Sequence, residues 1–271
     1  MAIKIGIVNQ KGGVGKTTTA ICLTDAFTQI GYKTLLIDFD PQANSSSVFN
    51  VTGQENTIYE GILKRAPMKD IIIKGNPMGD IIPSKTDLAK AAAELITGKA
   101  GDYKLSKAIT LIEDEYDMIV VDSGPTAGIM MDNVLAAVDG VVIPMEAEKF
   151  SIDGLQALLA NIDEAREDLN PKLSVYGVLL TKFNKEMGVQ KEIAEDFEKL
   201  DENIVHKFKT KIRLSAAIPR TQGFMAISNP RTMNDRKTVN SQGSIYNYGI
   251  NNGSLDYSAF AKELQEVIAN G

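Results

Sequence analysis

The chain has 271 residues, with 29 Lys and Arg against 35 Asp and Glu, a net charge of −6 and a pI near 5.0. That length supports a full hydrophobic core in one large α/β domain, and the acidic balance argues against nucleic acid as a partner of the whole surface while leaving room for a local basic patch. A single cysteine, Cys22, excludes an internal disulfide and a two-cysteine cluster within one chain, a single histidine, His206, excludes a histidine metal cluster and a Ser-His-Asp triad, and no apolar run is long enough to span a membrane.

The first stretch, Ile3 to Ala20, joins a β-branched apolar run to a glycine-rich turn and then to a helix opened by Lys16-Thr17-Thr18. Gly12, Gly13 and Gly15 lack a Cβ, so the chain can bend tightly and point successive N–H groups at an anion. A helix starting near Lys16 adds unpaired N–H groups and the positive end of its dipole. Lys16 then supplies a charge for the β/γ-phosphates of a nucleotide, and the Thr17 hydroxyl a ligand for Mg²⁺.

Thr17 to Ile30 reads as that helix, with Gly31 at its C-terminal cap and Cys22 as a small buried hydrophobe within it. Thr34 to Asp38 is a buried parallel strand, and Asp38-Phe39-Asp40-Pro41-Gln42-Ala43-Asn44 follows at its carboxyl end, where open α/β sheets place ligands. Between Ser45 and Lys107 the pattern predicts helices over Thr57 to Arg65 and Asp87 to Ile96, an edge strand over Asp80 to Pro83, and a turn over Gly75 to Gly79. Ser106 to Glu115 reads as a helix and Asp117 to Asp122 as a second buried strand ending in a carboxylate.

Further along, the pattern predicts a helix over Ala127 to Val138, a strand over Gly140 to Met145 and an amphipathic helix over Ser151 to Leu169 capped by Ser151. A strand over Ser174 to Thr181 and a helix over Val189 to Leu200 follow. This alternation predicts a doubly wound, mostly parallel sheet with helices on both faces, as one domain over residues 1–271. Asn229 to Ser254, rich in Asn, Ser and Gly, reads as a long surface loop, and Leu255 to Ala269 as the last helix.

Asp38, Asp40 and Asp122 all end strands that a parallel sheet sets beside the glycine turn. Met118-Ile119-Val120-Val121 before Asp122 suits a carboxylate at the tip of a buried strand, holding Mg²⁺ together with Thr17. Spacing alone does not choose between Asp38 and Asp40 as the group that orients an attacking water.

The loop Lys11-Gly12-Gly13-Val14-Gly15-Lys16-Thr17 departs from G-x-x-x-x-G-K-S/T, since Gln10 stands where the first glycine belongs and Lys11 is added. It resembles the deviant Walker A motif of the ParA/MinD family of P-loop ATPases, whose extra lysine reaches the nucleotide of a dimer partner. The resemblance makes Lys11, Gly12, Gly13, Val14, Gly15, Lys16, Thr17 and Thr18 nucleotide-binding. Leu36 to Asn44 resembles the family's second motif, which implies that Asp40 positions the water, with Lys11 and Lys16 as the other catalytic residues and Asp38 near the metal. Asp122-Ser123-Gly124-Pro125 resembles its Walker B segment, with Gly124 replacing the usual first proline. Val141 to Pro144, followed by Glu148 and Ser151 to Gly154, resembles a further block in which a glutamate at Glu148's position touches the partner's nucleotide. Members carry a Pro-Arg pair flanking the purine; this chain offers Ile212-Arg213 or Pro219-Arg220, which puts Pro219 among the nucleotide candidates. Asn184 is either a base contact or a helix cap.

The resemblance implies an ATP-sandwich homodimer that binds DNA without sequence preference, uses Mg²⁺, and is released when a ParB-like adaptor stimulates hydrolysis, in a cytoplasmic, nucleoid-associated setting. Lys207, Lys209, Lys211, Arg213 and Arg220 form the most basic stretch and are the candidates for DNA phosphates; the same stretch also fits a solvated strand edge. A membrane-positioning relative would need a basic C-terminal helix, whereas Leu255 to Ala269 carries Asp256, Glu263 and Glu266 against Lys262, so no membrane partner is expected. Keeping Asp40 and Lys11 argues against a scaffold that has lost hydrolysis and uses ATP only as a dimerisation ligand, and with the chain beginning at the first strand no operator-binding helix-turn-helix is expected.

Overall fold

The computed structural model describes residues 1–148, 151–184, 195, 197, 204–215 and 251–270. Its strands are β1 (Ile3–Ile7), β2 (Thr34–Phe39), β3 (Asp80–Ile82), β4 (Met118–Ser123), β5 (Gly140–Glu146) and β6 (Ser174–Thr181). They form a six-stranded sheet in the order β3-β2-β4-β1-β5-β6, with every neighbouring pair parallel. The expected parallel sheet is therefore the observed one.

The helices whose bounds lie within the described residues are α1 (Lys16–Gln29), α2 (Asn44–Val48), α3 (Ile58–Ile62), α4 (Leu88–Thr97), α5 (Lys104–Thr110), α6 (Ile129–Ala137), α7 (Ser151–Asp168) and α8 (Asn252–Asn270). They cover both faces, so β2 and β4 are buried along their whole length. Alternation along β2 shows how: Leu35 and Ile37 join the layer with α3 to α7, while Leu36 faces the layer built by α1 and α8. In that second layer Leu23 and Phe27 of α1 pack with Tyr257, Phe260 and Leu264 of α8.

Several boundaries differ from expectation for local reasons. Gly31, at φ +95°, ends α1 through its N–H to Thr28, as a left-handed C-terminal residue should. Thr57 caps α3 in a reciprocal box with Glu60, so that helix begins one residue later than the sequence pattern placed it. The helix expected over Ser106 to Glu115 is α5 followed by a separate 3₁₀ turn, Glu113–Glu115. Asn44 to Val48, which the sequence pattern assigns to no element, is the short helix α2.

The last helix starts at Asn252, inside the segment expected to be loop. Asn251 and Ser254 explain it. The Ser254 N–H donates to Asn251 Oδ1, and the Asn251 N–H donates to Ser254 Oγ, a capping box built from Asn and Ser. The remainder of that loop, 229–250, lies outside the described residues. So does the helix expected over Val189 to Leu200, apart from Glu195 and Phe197, which are helical.

The segment after that helix runs along the free edge of β6. Val178 N–H donates to His206 O, Phe208 N–H to Val178 O, Ile212 N–H to Leu180 O and Phe183 N–H to Ile212 O. These bonds occupy the edge of β6 without extending the regular ladder.

Candidate active site

Parallel register carries the carboxylates to one end of the sheet. Asp38 of β2 lies directly across from Asp122 of β4, and Asp122 in turn pairs in register with Ile7, the last residue of β1. The glycine turn leaves β1 at that same end and closes at Gly15, whose φ of +91° caps α1. Lys11, Gly12 and Gly13 are exposed, Val14 and Lys16 are buried, and Gly15, Thr17 and Thr18 are half-buried.

Side chains from distant strands hold the loop in shape. Asn9 accepts the Lys11 N–H on Oδ1 and donates its own amide to Pro144 O at 2.8 Å. Thr181, at the end of β6, donates its hydroxyl to Val14 O at 2.7 Å, and Lys182 donates its ammonium to Gly13 O at 2.6 Å. The sequence reading missed both residues. Their one signal was position: an apolar strand ending beside the loop.

The Lys16 ammonium bonds Lys11 O at 2.9 Å. Burial lowers its pKa, and the charges of Asp122 and Asp40 push the other way. Lys11 reaches out instead and pairs with Glu148 of its own chain at 2.6 Å. The lysine contact lowers the Glu148 pKa.

The acidic residues are each held by a neighbour. Asp38, fully buried, accepts the Ser46 N–H and hydroxyl on Oδ2, at 2.8 and 2.6 Å. Asp40 accepts the Gln42 N–H on Oδ1 at 2.9 Å. Asp122, also fully buried, accepts the Ser45 hydroxyl on Oδ2 at 2.7 Å, while Oδ1 has no hydrogen-bond partner among the described residues. Burial first, and then the charge of Asp38, pushes the Asp122 carboxyl up to about 8, although the hydroxyls of Ser45 and Thr17 favour its charged form. Burial likewise pushes Asp38 up to about 6, against the bonds from Ser46.

This set fits a divalent cation held with water and phosphate oxygens rather than an all-protein cage. A buried carboxylate oxygen without a partner, beside a second buried carboxylate and the Thr17 hydroxyl, calls for positive charge. Among the described residues no group of three His, Cys, Asp or Glu side chains could enclose a metal alone.

The remaining candidates separate. Asn184 is half-buried just past β6, at the same end of the sheet. Lys207 is only 7% exposed. Arg213 is engaged by Asp256 of α8, which accepts its N–H, Nε and Nη2 at 2.7 to 3.1 Å. Lys211 lies over the ring of Phe183, and Lys209 is exposed, with its backbone N–H held by Glu263 of α8. Pro219 and Arg220 lie outside the described residues.

A parallel sheet whose central strand feeds a glycine turn and a Lys-Thr helix start, with carboxylates on the adjacent strand ends, defines a P-loop nucleoside-triphosphatase. A family model described as an AAA domain matches residues 2–175. The chromosome partitioning protein ParA of Myxococcus xanthus is 37% identical over 201 residues, covering 71% of this chain and 69% of that protein. A plasmid partition protein from Borrelia burgdorferi, 30% identical, superposes with a TM-score of 0.65 over 74% of this chain and 86% of that one. The fold is also that of cobyrinic acid a,c-diamide synthase from Mycobacterium smegmatis, at a TM-score of 0.81 and 24% identity over 100% of this chain and 97% of that one. The chain belongs to the ParA-type partition ATPases of the ParA/MinD family.

Proposed function

We propose that the chain hydrolyses ATP to ADP and phosphate with Mg²⁺, as a nucleotide-gated homodimer that holds DNA without sequence preference. A ParB-like adaptor stimulates hydrolysis and ends the bound state. The observation that carries this reading is the meeting of Lys16, Thr17, Asp40 and Asp122 at one end of the sheet, with Asp122 Oδ1 unpartnered among the described residues.

In this reading the N–H groups from Gly12 to Thr18 cradle the phosphates around Val14 and Gly15. The Lys16 ammonium exchanges Lys11 O for phosphate oxygens. Thr17 and Asp122 would hold Mg²⁺, with Asp38 next to them, and the bound ion would supply positive charge for phosphoryl transfer. Asp40 accepts a hydrogen bond from the attacking water and orients it. Lys11 and Glu148 exchange their mutual pair for the partner's nucleotide, and Asn184 and Pro219 contact the base. The cobyrinic acid a,c-diamide synthase of the same fold binds ADP and magnesium, which supports the choice of ligands.

Of the basic residues, Lys209 and Lys211 are assigned to DNA phosphates before Lys207, Arg213 and Arg220, because Lys207 is buried and Arg213 is occupied by Asp256. A cytoplasmic, nucleoid-associated location follows from that assignment. No helix among the described residues is long and apolar enough to cross a membrane.

Phosphate release by the wild-type chain, Lys16→Ala and Asp40→Ala tests the reading, with ATP binding measured in parallel. Asp40→Ala should bind ATP and release no phosphate above background, and Lys16→Ala should lose both. Wild-type release by Asp40→Ala would remove Asp40 from the reaction.

A further inference from the structure

The three acidic residues are fixed by three serines that no sequence motif above includes. Ser45 donates to Asp122, Ser46 donates to Asp38, and Ser84 donates its hydroxyl to Asp40 O at 2.8 Å while its N–H bonds Ser46 Oγ at 2.8 Å. Ser45 and Ser46 are fully buried, and Ser84 is 3% exposed. Ser45 and Ser46 sit on α2, shortly after Asp40 in the chain, and Ser84 follows β3.

Ser45 is the most telling of these. The torsion that turns a carboxylate about its Cβ–Cγ bond is soft, so the hydrogen bonds around it decide which oxygen faces which way. The Ser45 hydroxyl takes Asp122 Oδ2, which leaves Oδ1 as the oxygen without a partner. The same bond ties the start of α2, and with it the chain leading from Asp40, to the tip of β4. Among the described residues it is the hydrogen bond that joins the Asp40 segment to the Asp122 side chain.

We propose that Ser45 is a positioning residue for ATP hydrolysis: by holding Asp122 Oδ2 it presents Oδ1 to the metal's coordination shell and keeps Asp40 in register with it. The inference rests on the assignment of Asp122 to Mg²⁺. Outer partners of metal-binding carboxylates typically change metal affinity by about 10-fold to 100-fold when removed, and Ser45 stands in that relation to Asp122.

The test uses the full chain with Ser45→Ala, Ser45→Thr and Asp122→Asn. Two quantities are read: ATP affinity in EDTA, and the affinity of the ATP-bound chain for Mn²⁺, followed by electron paramagnetic resonance. Ser45→Ala should weaken Mn²⁺ binding by about tenfold while ATP affinity in EDTA stays at the wild-type value. Ser45→Thr, which keeps the hydroxyl, should restore Mn²⁺ binding. Should Ser45→Ala fail to fold, Ser45→Cys keeps the volume with a weaker donor and gives the same comparison. Wild-type Mn²⁺ affinity in Ser45→Ala, alongside a large loss in Asp122→Asn, overturns the role of Ser45 and leaves the metal assignment standing. Wild-type Mn²⁺ affinity in Asp122→Asn overturns the metal assignment itself.

Discussion

The Lys11 ammonium and Glu148 Oε2 of the same chain lie 2.6 Å apart, with both side chains nearly half exposed. The proposed dimer requires each of them to reach a partner's nucleotide, so this pair must open before the sandwich closes. Exposed ion pairs contribute less than about 1 kcal/mol, so the exchange is inexpensive. Lys11→Ala should therefore melt within a degree or two of wild type and bind ATP, yet stay monomeric in light scattering with ATP. An ATP-dependent dimer of Lys11→Ala would show that the lysine does no work across an interface.

Gly15 is needed for its backbone conformation rather than for space. A Cβ there would meet the Thr181 side chain at 3.6 to 3.7 Å, an ordinary contact, but φ is +91°. Gly15→Ala should cost roughly 1–2 kcal/mol of stability through left-handed strain, and it should weaken ATP binding because the adjoining N–H groups turn with it. Unfolding by urea and ATP titration read the two effects separately. Unchanged ATP affinity in a destabilised variant would mean that the turn is only a connection.

The buried carboxylates make stability depend on pH in the metal-free chain. Asp122 and Asp38, pushed up to about 8 and about 6, keep protons that the unfolded chain releases near its ordinary aspartate value. Their contribution is fully present below about pH 4 and is lost as pH rises toward 8. Thermal unfolding in EDTA should show wild type losing ground to Asp122→Asn between about pH 5 and pH 8. Parallel pH curves for the two proteins would contradict a raised Asp122.

Two basic residues close in sequence should behave differently. Arg213 is bound by Asp256 through its backbone N–H and guanidinium, so Asp256→Ala should destabilise the fold by roughly 2 kcal/mol. Lys209 is exposed, so Lys209→Ala should leave stability alone, weaken DNA binding uniformly across sequences, and lower the salt slope by about 1. Equal loss of stability in both would show that the segment serves the sheet edge alone.

The glycine turn, Lys16, Thr17 and the strand-end aspartates Asp38, Asp40 and Asp122 were legible in the sequence because each depends on a local pattern: a buried strand, then polar residues or glycines at its tip. Parallel pairing then put Asp38 across from Asp122 with no further information. The serines were not legible. Ser45 and Asp122 are separated by 77 positions, and a five-residue helix such as α2 is too short to show periodicity. Thr181 and Lys182 were hidden for the same reason, since they reach a loop 167 and 169 positions away. The start of α8 was misread because Asn251-Asn252-Gly253-Ser254 has turn composition, while in space Asn251 and Ser254 cap a helix. Composition also left the basic stretch undivided, where packing against α8 separates Arg213 from Lys209.

Whether ATP gates DNA binding is read from binding to a random-sequence DNA duplex with ATP, with ADP, and with Asp40→Ala plus ATP, each at two salt concentrations. Binding should be tight and salt-sensitive with ATP, retained or strengthened in Asp40→Ala, and slight with ADP. Equal binding with ATP and with ADP, or no binding under any condition, would contradict an ATP-gated DNA-binding dimer.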